Sequence, residues 1–168
     1  MRILGIDPGT ATTGFGVIET RSAYRTGRRQ AGADGIKFID CGVIVTSART
    51  PMHERLQIIA RDLKSLIRRH KPHVIAIEEL FFARNVTNAL TVGQARGVAL
   101  LVAAGAGCDI AEYKPHHVKL AVAGYGRASK SQVQRMVKEI LGLKHIPRPD
   151  DAADGLAVAI THAVGLRR

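Results

Sequence analysis

The sequence predicts an α/β fold: one mixed five-stranded sheet with helices on both faces. Three observations predict it. Short apolar runs of strand length come first as a meander, then alternate with stretches of helical periodicity. The longest such stretch, over 50–70, carries its apolar residues on one face. The 168 residues suffice for a single domain, 1–168, with a proper core.

Arg2-Ile3-Leu4-Gly5-Ile6-Asp7-Pro8-Gly9-Thr10 opens the sheet. Ile3, Leu4 and Ile6 read as a short buried strand, with Asp7 at or near its end. A carboxylate in an apolar strand is costly unless a cation or hydrogen-bond donors meet it. Pro8-Gly9 leads into a second strand over 14–19, and a third follows over 36–45. Between them Arg21, Arg25, Arg28 and Arg29 face one acid, Asp34. This turn, 21–35, reads either as a tolerated surface insertion or as a phosphate-contacting arm.

Thr50 as N-cap and Pro51 at the first helical position open a helix to about His70. Leu56, Ile59, Leu63, Leu66 and Ile67 share one face, and Arg68-Arg69-His70-Lys71 complements the dipole before Pro72. His73 to Ile77 is a near-continuous apolar run, hence a central strand covered on both faces. It ends in Glu78-Glu79. Phe81 and Phe82 follow in a loop, where one exposed ring is a stacking platform for a base. Asn85 or Thr87 caps a helix to about Ala104. Gly93 and Gly97 within it call for close approach of another helix, within the chain or across a dimer, since interior glycine costs about 1 kcal/mol against alanine. Cys108 to Glu112 is the fifth strand.

Pro115 begins a short helix containing Lys119, which Gly124-Tyr125-Gly126 breaks. Ser129-Lys130-Ser131-Gln132 is a capping box for a helix to about Leu141. Lys130 sits in its first turn, where the dipole disfavours a cation. Its placement points to another purpose. Asp150 is the expected N-cap of the last helix. Asp151 and Asp154 share a face of that helix, and Gly155, Ala157 and Ala159 let it lie close to the sheet.

Lys plus Arg total 25 against 14 acids, a net charge of +11. A chain this basic points to a polyanion, above all nucleic acid. Mean hydropathy is +0.02, no apolar run approaches a membrane span of roughly 18 residues, and Met1 leads directly into a strand rather than a signal peptide. Cys41 and Cys108 lack metal-type spacing and suit a reducing compartment. The expected location is cytoplasmic.

Asp7 closes the first strand, Glu78 the fourth, and Asp151 and Asp154 start the last helix. All four would meet at one sheet edge. Without a cation they would repel and raise one another's pKa. Hard oxygen ligands select Mg²⁺ or Mn²⁺ over zinc. Two such ions about 3.5–4 Å apart suit phosphodiester hydrolysis. Each acid alone is better explained as a cap or surface ion pair; the joint pattern is what is specific. Glu79 and Asp150 flank these positions, so the ligand set could slip by one residue. His162 reads as a core or capping histidine rather than a ligand.

Five strings, Gly5-Ile6-Asp7-Pro8-Gly9, Ala76-Ile77-Glu78, Gly93-Gln94-Ala95-Arg96-Gly97, Lys130-Ser131-Gln132-Val133 and Asp151-Ala152-Ala153-Asp154, carry a resemblance. Together they resemble the bacterial RuvC Holliday-junction resolvases, over nearly the whole chain. The resemblance implies a ribonuclease H-like fold, divalent ions on Asp7, Glu78, Asp151 and Asp154, and a junction-base contact at Phe81. It implies basic groups near the scissile phosphate at Lys119 and Lys130, a homodimer, and a branch-migration motor of RuvA and RuvB type as partner. Arg84, Lys114 and Arg127 join the expected DNA-binding set. The helix with Gly93 and Gly97 is the candidate dimer seam. The Arg-rich turn looks longer than that family's usual hairpin.

Other readings compete with this one. Strand-Asp-x-Gly-Thr also suits the phosphate hairpin of sugar-kinase or actin-like ATPases, which need two such domains; 168 residues hold one. A non-catalytic branched-DNA-binding module would share the basic surface, but four convergent acids would then work against phosphate. A nuclease for another branched or RNA-containing substrate would share the acids.

Overall fold

The computed structural model describes residues 1–20, 35–80 and 86–165, except the side chains of 86–89. Five strands and five helices run in the order β1 Arg2–Asp7, β2 Thr12–Thr20, β3 Ile36–Val45, α1 Met52–His70, β4 Val74–Glu78, α2 Val86–Gly105, β5 Asp109–Tyr113, α3 Pro115–Ala123, α4 Lys130–Ile140 and α5 Asp150–Gly165. The sheet order is β3-β2-β1-β4-β5. β1, β2 and β3 pair antiparallel, and β4 lies parallel to both β1 and β5. The predicted mixed sheet is observed, with strand ends shifted by one or two residues.

Strand alternation divides the core in two. Leu4, Ile6, Phe15, Val17, Ile75 and Ile77 face α1 and α2. Ile3, Ile18 and Ala76 face the opposite layer of α3, α4 and α5. By the same alternation Asp7, two beyond Gly5, and Glu78, two beyond Ala76, lie on the α5 side. The register Ile6↔Ile77 between parallel strands makes these two acids lateral neighbours.

That side of the sheet is lined by glycine under α5. A Cβ on Gly5 would lie 2.9 Å from Ala159 Cβ, and one on Gly16 would lie 2.5 Å from Leu156 Cα. Real Cβ atoms do not approach so closely, so these positions admit only glycine with the helix where it is. The expectation that small residues bring the last helix onto the sheet therefore holds, and the small residues lie on both surfaces.

Two caps differ from expectation. Pro51, not Thr50, is the N-cap of α1, with no side-chain cap. It has an extended backbone and its carbonyl accepts from the Glu54 and Arg55 N–H groups. Asp150 is the first residue of α5, and Pro149 O accepts from Ala152 N–H. The Asp150 carboxylate instead takes Arg148 at 2.6 Å. At α4 the capping box is present: Ser129 Oγ accepts from Gln132 N–H, and Gln132 Oε1 from Ser129 N–H.

Nothing lies within 4 Å of a Cβ added to Gly97, and one on Gly93 would meet Leu80 at 3.4 Å. Among the described residues, no helix of the same chain therefore packs on that side of α2. Ala95, Ala99, Val102 and Ala103 fill the core from its other side. Leu90 and Leu101 are exposed, at 65% and 73%. No helix among the described residues is long and apolar enough to cross a membrane.

Candidate active site

Asp7, Asp151 and Asp154 each present a carboxylate oxygen to a common point, all within 4.8 Å of one another. Glu78 joins them through a side-chain hydrogen bond to Asp7. Strand ends bring the first pair, and the first turn of α5 brings the other two. Asp7, Glu78 and Asp154 line a cavity of about 230 Å³. Lys119 from α3 and Lys130 from α4 also line it, with Pro115, Val118, Val133 and Ala157 as its apolar wall. That wall was not anticipated; the helical spacing of Pro115, Val118 and Lys119 was the available signal.

Burial governs the electrostatics. It pushes Asp7 from its ordinary 3.8 up to about 6, with Asp154 and Asp151 adding repulsion. It pushes Glu78 from 4.5 up to about 8, reinforced by Asp7. Asp7 and Glu78 therefore share a proton through that hydrogen bond and titrate as a pair. Asp154 is also raised by burial, opposed by Lys130. The Lys130 ammonium sits 2.8 Å from Asp154, and this contact raises its own pKa. This answers why a cation occupies the first turn of α4: its partner lies across the cavity. Lys119 acts on Glu78, favouring its ionised form.

Lys114 is the exposed N-cap of α3, and Arg127 is exposed beyond α3; neither lines the cavity. Glu79 donates its N–H to Tyr113 O at 2.7 Å, and its side chain is not among the cavity's lining. His162 stands apart from the acids and shares a 2.8 Å hydrogen bond with Tyr113 Oη through Nδ1. Phe81, Arg84 and the Arg-rich turn over 21–34 lie outside the described residues.

A donor set of half-buried, hard carboxylate oxygens fits Mg²⁺ or Mn²⁺ and not a soft metal. The sign of its pH dependence follows. Below pH about 4 both acids are protonated whether the chain is folded or not. Above that, the unfolded chain ionises while the fold retains its protons. Stability is thus lost as pH rises through about 6 and about 8. In EDTA the melting temperature should fall across that window, and Mg²⁺ or Mn²⁺ at pH about 8 should restore it. A flat melting profile in EDTA would contradict the packing of these acids.

The crossover junction endodeoxyribonuclease RuvC family model matches residues 3–162. The chain belongs to the RuvC family. Its RuvC relative from Chloroflexus aurantiacus is 53% identical over 163 residues, 97% of this chain and 93% of the relative. The RuvC of Heliobacterium modesticaldum is 54% identical over 166 residues, 99% and 96% of the two chains. Thermus thermophilus RuvC, solved in complex with Holliday junction substrate, superposes with a TM-score of 0.86 at 38% identity, over 99% of this chain and 95% of that one. The sheet and its two helical layers are thus the ribonuclease H-like resolvase fold. The chain is an endodeoxyribonuclease of the RuvC family.

Proposed function

We propose that the chain, as a single domain, resolves four-way DNA junctions by paired symmetric nicks. The convergence of Asp7, Asp151 and Asp154, with Glu78 hydrogen-bonded to Asp7, beside a cavity that Lys119 and Lys130 also line supports this most directly. In this reading the four carboxylates hold two divalent ions, Mg²⁺ or Mn²⁺. The ions supply water activation and charge neutralisation at the phosphate. The protein's own groups do the rest. Lys119 and Lys130 neutralise the phosphate from the α3 and α4 side. The apolar wall of Val118, Val133 and Ala157 limits solvent around it. Attack in line leaves 5′-phosphate and 3′-hydroxyl ends.

Lys114 and Arg127, exposed on the same layer, set affinity and its salt slope. Phe81 and Arg84, just after Glu78 in sequence, are assigned to junction bases and backbone. The working unit is a homodimer with one site per strand. The exposed Leu90 and Leu101 of α2, beside the uncovered Gly97, form the seam. The protein acts in the cytoplasm, in recombination and repair, with a branch-migration motor of RuvA and RuvB type.

The test is cleavage of a synthetic four-way junction against linear duplex of the same sequence, with Mg²⁺, Mn²⁺ or EDTA. Paired nicks confined to the junction, and lost with EDTA, are expected. Leu101→Glu should turn paired nicks into single ones. Junction binding without cutting in either metal would favour the non-catalytic module. Equal cutting of all substrates would discard the junction preference and keep the chemistry.

A further inference from the structure

The tip of the β1–β2 hairpin lies directly beyond Asp7, and α1 reaches it. Thr46 follows β3 and is buried, at 6% exposure. Its N–H donates to Ala11 O at 3.0 Å, and its hydroxyl donates to Thr10 O. The same hydroxyl oxygen accepts from Arg55 Nε at 2.8 Å. Thr13 Oγ1 closes the hairpin internally on Gly9 O at 2.7 Å. One guanidinium is therefore fixed at the tip of the hairpin that follows Asp7.

This guanidinium has no carboxylate. Glu54 beside it takes His53 at 3.9 Å, and among the described residues no acid pairs with Arg55. Only its Nε is engaged; both terminal amino groups lack an acceptor among the described residues. A pin between α1 and the hairpin needs one donor. The structure instead orders a long side chain, against its rotamer entropy, and leaves free the fork that matches phosphate oxygens. Arg55 also sits in the first turn of α1, where the helix dipole opposes a cation.

We propose that Arg55, held by Thr46 beside the Asp7 hairpin, is a DNA-phosphate contact on the α1 side of the sheet. It rests on the junction-nuclease reading. Lys119 and Lys130 reach the cavity from the α3–α4 layer. Arg55 comes from the opposite layer, so the backbone entering the site is gripped from both faces. The exposed Arg49, also without an acidic partner among the described residues, lies between Thr46 and Arg55 in the chain. The contact is to backbone, not base, and carries position rather than sequence.

The test is equilibrium binding of the full chain to a four-way junction and to linear duplex in EDTA, over a series of potassium chloride concentrations. Arg55→Gln should lower the slope of log affinity against log salt by about one. Arg55→Lys should keep the slope and bind more weakly at every salt concentration, because the hold by Thr46 and the fork are lost. A wild-type slope and affinity in Arg55→Gln would overturn the proposal. So would a lowered melting temperature with the slope unchanged, which is the signature of a structural pin. Wild-type affinity in Arg55→Lys would overturn it as well. If the parent chain binds duplex as well as junction and Arg55→Gln lowers both slopes, the phosphate contact stands and the junction preference falls.

Discussion

Asp7→Asn should abolish junction cleavage while leaving junction binding intact or tighter. Asp7 touches both halves of the cluster. It hydrogen-bonds Glu78 and stands within 4.8 Å of Asp151 and Asp154. An amide there removes one hard anionic ligand and keeps the shape. Changing even an outer-shell partner of a metal ligand costs about 10–100-fold, so loss of a ligand should cost more than about 100-fold in cleavage rate. Binding should survive because the substitution removes negative charge facing the phosphate. The measurement is single-turnover cleavage beside binding in EDTA. Cleavage within a few-fold of the parent would remove Asp7 from the reaction. The same variant, melted in EDTA at pH about 8, should be more stable than the parent, since it relieves repulsion among buried acids.

Gly14→Ala should be the second severe change, although it touches no reacting group. Gly14 pairs with Asp7 across β1 and β2. A Cβ there would lie 2.7 Å from the Asp151 carbonyl carbon and closer still to its oxygen. The contact is backbone, so no side chain can swing aside. The first turn of α5 must lift, carrying Asp151 and Asp154 away from Asp7. Overpacking of this kind costs about 1–3 kcal/mol. A chain of this size should then melt roughly 2–12 °C lower. Cation stabilisation should fall with it, because the ligands no longer converge. A Gly14→Ala protein with parental melting temperature and parental response to Mn²⁺ would show that the helix start has room to spare.

The two substitutions mark what could be read in one dimension. The strands, the order of elements and the acids were legible because apolar runs, helical spacing and the cost of a strand carboxylate are local signals. Gly14 and Gly16 looked like ordinary strand glycines. Their meaning needs α5, which is more than a hundred residues later in the chain. Pro51 at the cap rather than inside α1, and Asp150 inside α5 rather than at its cap, are one-residue differences set by backbone dihedrals that composition does not fix. Lys130 was legible as misplaced for its helix, but not its partner Asp154. Arg55 gave no signal at all: its role depends on Thr46 and Thr10, which no spacing rule connects to it.

The position of α5 has a consequence for synthesis. Asp7 and Glu78 lie on strands that can pair while the chain is still being made, because a growing chain folds from its N-terminal end. Asp151 and Asp154 are translated last, on the helix that also covers Gly5, Gly14 and Gly16. Until that helix docks, only two of the four clustered acids are in place, and they stand open to water. A chain whose α5 has not docked thus lacks half of the cluster on which the proposed cleavage depends. The capacity to cut arrives with the final turn of folding rather than growing with chain length.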